Sequence, residues 1–69
     1  MKNAKVDAAF YLLTGLLQRL DAERPGMLQD MITGVENDRA ALPENIEDRE
    51  HVEEIFDEAM KLLTLANTA

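Results

Sequence analysis

Cysteine and serine are both absent from this 69-residue chain. The first absence removes disulfide staples and thiolate metal sites. With both missing, the remaining aliphatic hydroxyls are those of Thr14, Thr33, Thr64 and Thr68, and none has a base implied beside it. A single histidine cannot build a structural zinc site. Gly26 and Gly34 form no phosphate loop, because no strand precedes them and no Gly-Lys-Thr/Ser follows. They read as a turn residue and as a close-packing or helix-weakening position. These absences predict a protein that is not an enzyme and has no cofactor.

Long apolar runs are missing too. A membrane-spanning helix needs ~20 apolar residues, and the stretch from Ala8 to Leu17 is half that. Behind Lys2 and Lys5 it superficially resembles a secretory leader. However, Asp7 precedes the run, and Arg19 and Asp21 follow it without a small-residue cleavage site. The expectation is a cytoplasmic protein with no membrane contact.

Basic charge is scarce, at 7 residues against 14 acidic ones, for a net charge of −7. Eight carboxylates lie between Glu44 and Glu58. Nucleic acid and anionic lipid carry the same sign and are excluded as expected partners. A basic protein surface remains compatible, although such charge also serves solubility alone. Size adds a constraint, since a chain this short buries only about 60% of its unfolded surface on folding. Without disulfides or metal, oligomerisation is the remaining way to enlarge so small a core.

What the chain does have is two hydrophobic ladders: Val6, Ala9, Phe10, Leu13, Leu16, Leu17, Leu20, and Val52, Ile55, Phe56, Ala59, Leu62, Leu63, Ala66. Steps of three and four residues describe one face of a helix. Asn3 suits an N-cap for the first helix, and Arg24-Pro25-Gly26 ends it, with Pro25 fit to open the second. Leu28, Met31, Ile32 and Val35 give that second helix its face. At Asn37–Arg39 the face fades, so either the helix frays or Arg39 lays its stem along the core and reaches an acid. Pro43 breaks the chain again. A third helix then begins near Glu47 or Asp48, with Asp48 as cap, and leaves Asn67-Thr68-Ala69 as a frayed tail. The expected architecture is all-α: one domain over residues 1–69, a small three-helix fold with helices at about 3–22, 25–41 and 47–66, packed into a homo-oligomeric helical bundle.

The side of the first helix opposite its ladder is unusual. Ala4, Ala8, Tyr11, Gly15 and Ala22 cluster there, with Leu12 at the ladder's margin. Mid-helix glycine costs about 1 kcal/mol relative to alanine, so something is expected to pack closely against that side. The reading is a sandwiched helix, with its ladder on the other two helices and Ala8, Tyr11, Leu12, Gly15 and Ala22 on a second copy.

The outer face of the third helix carries Glu50, Glu53, Glu54, Asp57 and Lys61, with Asp57–Lys61 as a favourable pair. Glu50, Glu54 and Asp57 form the candidate surface for a basic partner, which would make the chain an acidic regulator. Glu47, His51, Glu54 and Glu58 fall within about 60° of one another on a helical wheel. They are the one set that a metal could use, if oligomerisation brought several strips together. Met27 and Met31 suit either a groove for a partner helix or core filling. The leading expectation is a protein that acts by self-association and protein contact.

Overall fold

The computed structural model describes residues 2–68, and among them it contains three α-helices and no strand. These are α1 (Ala4–Glu23), α2 (Met27–Ala40) and α3 (Arg49–Thr68). The three-helix, all-α architecture is the one the sequence predicts, with boundaries shifted by one or two residues. The shift shows at the C-terminus, where α3 runs on through Asn67 to Thr68 instead of fraying after Ala66. Ala69 lies outside the described residues.

Local chemistry accounts for the start of α1. Asn3 is extended, and its Oδ1 accepts from the amides of Lys5 and Val6 at 3.1 and 3.2 Å. Two of the helix's unpaired donors are thereby satisfied.

The α1–α2 corner differs from expectation. Met27 donates to the Arg24 carbonyl at 3.1 Å, with Pro25 second in the turn and Gly26 third at φ 96°, ψ −7°. This is a type II turn, whose third residue needs the positive φ that glycine adopts without strain. Pro25 therefore sits in the turn and does not open the second helix. Gly26 has no side chain with which to cap α2, and Asp21 of α1 supplies one: its Oδ1 accepts from the Leu28 amide at 3.0 Å.

The expected cap on α3 is also not made. Asp48 is left-handed, at φ 52°, and among the described residues no first-turn amide donates to its carboxylate. Its backbone carbonyl accepts the Val52 amide at 3.0 Å, the ordinary first bond of the helix. Arg49 closes the preceding linker by donating from Nη1 to the Pro43 carbonyl at 2.8 Å.

The core gathers where these elements converge. Leu17, Leu28, Leu63 and Ala66 are buried, and Met27, Ile32, Val35 and Leu62 pack around them. All come from the C-terminal part of α1, from α2, or from the C-terminal part of α3. Farther along, α2 stays helical through Asn37–Arg39, and Arg39 reaches across to α3. Its Nε donates to Glu53 at 3.3 Å and its Nη1 to Asp57 at 2.7 Å. Of the two outcomes open for Arg39, the structure has the one in which it spans to an acid.

The N-terminal half of α1 lies outside this enclosure. Every described residue from Lys2 to Leu13 is exposed. The molecule measures 39 × 31 × 14 Å, with a radius of gyration of 13.6 Å. A compact chain of this length would have a radius near 11 Å. Its accessible surface is 5627 Å², whereas a compact monomer of this mass exposes roughly 4,400 Å².

Candidate functional site: the open side of α1

The ladder of α1 was expected to face α2 and α3, and over most of its length it does not. Val6, Phe10, Leu13 and Leu16 are exposed, and only Leu17 is buried. Thr14, Gln18, Leu20 and Asp21 are half-buried beside it. On a helical wheel Thr14, Leu17 and Asp21 lie along one edge of the ladder, so α1 packs by that edge and leaves the rest of the face to solvent. The bond from Asp21 to α2 holds this rotation in place.

The small-residue side is open as well. Ala8, Tyr11, Leu12 and Ala22 are exposed, with Tyr11 at 79% and Leu12 at 67%. Gly15 is half-buried, yet a Cβ placed there would meet no atom within 4 Å. The expected interface residues therefore share one accessible side of one helix, and none is occupied by the chain's own fold. Gly34 is equally uncrowded, which removes its close-packing reading.

Between α1 and α3 this side becomes a groove of about 860 Å³. Tyr11, Leu12, Gly15 and Leu16 line it from α1, and Leu62 and Leu65 from α3. Arg19, Glu58 and Lys61 stand among the lining residues. Leu65 was not singled out by the sequence, because it falls off the ladder of α3; it is 58% exposed. Ile55, which is on that ladder, is also 54% exposed.

Among the described residues the ion pairs of α3 divide between the tertiary fold, through Arg39, and the helix itself, through Arg49–Glu53 and Lys61–Glu58. Asp57 is engaged by Arg39, and Lys61 pairs with Glu58 at 2.9 Å, so the expected Asp57–Lys61 pair is replaced. The hydrogen bond to Asp57 raises the Arg39 pKa most, burial opposes it, and Glu53 adds to the rise. Lys61 is raised chiefly by its bond to Glu58. A raised lysine contributes stability that is present below its unfolded pKa and lost as pH climbs through the folded one. Both pairs are therefore intact at neutral pH. Exposed pairs of this kind contribute little each.

Of the acidic candidates, Glu50 and Glu54 are exposed, while Asp57 belongs to the Arg39 clasp. Glu47 precedes the first residue of α3, so the set Glu47, His51, Glu54, Glu58 is not a continuous helical strip. Among the described residues no three metal-ligating side chains converge. Met27 packs on the core, which is the core-filling role, while Met31 is 39% exposed. Among the described residues no helix is long and apolar enough to cross a membrane. No protein-family model, no curated protein and no solved structure matches the chain.

Proposed function

We propose that this protein acts by self-association and protein–protein contact, with α1 as the shared surface. The observation that carries the reading is the bare N-terminal half of α1. The ten helical residues Ala4–Leu13 are all exposed, yet they include Val6, Phe10, Tyr11, Leu12 and Leu13. In proteins most helical stability comes from packing an apolar face and not from propensity. A helix end of this length and composition is best stabilised by an apolar surface brought by another molecule.

Area supports the same reading. The surplus over a compact monomer is roughly 1,200 Å² per chain, and a standard interface takes about 800 Å² from each partner. Light scattering after size exclusion, at micromolar concentration, tests it: a mass of at least twice 7.8 kDa is expected. A single 7.8 kDa species would refute self-association.

A basic protein on the acidic face of α3 is the alternative. Glu50 and Glu54 remain available to it, but the engagement of Asp57 by Arg39 shrinks that surface. Capture of a partner that is lost at high salt and on reversal of Glu50 and Glu54, with the protein itself monomeric, would favour it.

A further inference from the structure

The open side of α1 contains a strip whose spacing is the same in both directions. Lys5, Ala9, Leu12, Leu16, Arg19 and Glu23 follow one another at steps of four, three, four, three and four residues. This is the spacing of a helix–helix seam, and all six residues are exposed. The strip is symmetric about Thr14. If α1 is laid against a second α1 running the opposite way about that point, Lys5 faces Glu23, Ala9 faces Arg19, and Leu12 faces Leu16. Each match then occurs twice. Running the same way, Lys5 would face Lys5 and Glu23 would face Glu23, and like charges across a seam repel.

From these observations we infer that the partner of α1 is a second copy of the chain, and that the two α1 helices pair antiparallel about Thr14 to form a two-fold dimer. The inference rests on the self-association proposed above and adds the partner, the direction and the register. Lys5 and Glu23 lie 18 residues apart, five helical turns or roughly 27 Å, so both fall on one side of the helix. Lys5 stands at the positive end of its own helix dipole and Glu23 at the negative end, where each is unfavourable alone. Antiparallel pairing sets each beside the charge that relieves it.

The distribution of charge over the chain places the contact on the same helix. Residues 2–24 hold four cations and three anions, whereas residues 25–69 hold three cations and eleven anions. Two copies of a chain with net charge −7 repel everywhere except where the charge is balanced, and that region is α1. The groove argues likewise, since Leu12, Leu16 and Arg19 of the strip also line it.

The chain has no cysteine, so single introduced thiols report one contact each. Full-length K5C and E23C proteins, each alone and then mixed, would be oxidised mildly and run without reductant. Both sites are exposed near helix ends, and circular dichroism checks that each variant stays folded. The mixture is expected to give disulfide-linked dimer well above either variant alone. Self-linking of K5C would overturn the antiparallel direction. Twofold mass by light scattering with no link in the mixture would overturn the register while leaving self-association standing. A monomeric mass for the unaltered chain would overturn both. Independently, K5E should weaken dimerisation about three- to tenfold and K5E/E23K should restore it. Failure of the double variant to recover would count against the Lys5–Glu23 match.

Discussion

Leu17 and Leu13 stand one turn apart on the same helical ladder, and they meet opposite fates. Leu17 is buried with Leu28, Leu63 and Ala66, while Leu13 is 47% exposed. The closed end of the molecule and the open end of α1 use the same residue types at the same spacing. What separates them is the position of neighbours: Gly26 turns the chain back, Asp21 ties α1 to α2, and α3 returns to the corner, whereas Val6 and Phe10 stay exposed farther along α1. A hydrophobic ladder states that a helix has a face. It does not state whether the same chain covers it.

The comparison can be broken most severely at the closed end. Leu28 is 1% exposed, and Leu28→Ala should destabilise the chain by about 2–5 kcal/mol. In so small a domain that removes most of the folded population, which a urea titration followed by circular dichroism would show. At the open end the effect should fall on mass and not on fold. The double change Leu12→Glu, Leu16→Glu places charge on exposed positions, so the monomer should remain helical while association weakens by about a hundredfold or more. Loss of helical signal at the lowest protein concentrations, beyond that of the unaltered chain, would place these leucines in the monomer's own stability.

Two smaller effects sharpen the boundary between the ends. Asp21→Ala deletes the acceptor for the Leu28 amide and should cost about 0.5–2 kcal/mol, in line with loss of an N-cap. At Gly15 the sign should depend on size. Gly15→Ala adds a methyl that meets no atom within 4 Å and should stabilise the monomer by about 1 kcal/mol, whereas Gly15→Leu should reduce the oligomeric mass. Smallest of all, Arg39→Ala should lower the urea midpoint slightly, and less at high salt, because its pairs with Glu53 and Asp57 are partly exposed.

Much of the fold was legible because local rules decide it. Asn3 caps α1 through its own side chain, and the Pro25–Gly26 pair breaks the chain where such a pair does. Arg39 is legible as a cation where the apolar face of α2 fades, and its long stem resolves the conflict by spanning to α3. Two expectations fail for different reasons, one distant and one local. Asp57 was matched with Lys61 on its own helix, but Arg39 approaches from α2 and takes it. Asp48 suits a cap by residue type, yet with its backbone at positive φ its carboxylate takes no first-turn amide. The candidate interface was legible as a side of α1. Its extent was not, because a wheel treats every turn of a helix alike and cannot show that α1 leaves its neighbours above Leu13.

The uncovered stretch Ala4–Leu13 has a consequence for what the chain reports about its surroundings. Helical turns without tertiary cover exchange with coil on a timescale of about 0.1–1 μs, and anything that binds only the helical form shifts that balance by mass action. Under the proposed pairing, the secondary structure of the first ten helical residues becomes a function of how many copies are present. Amide hydrogens there would exchange quickly in dilute solution and slowly in concentrated solution, while those around Leu28 and Leu63 would hardly change.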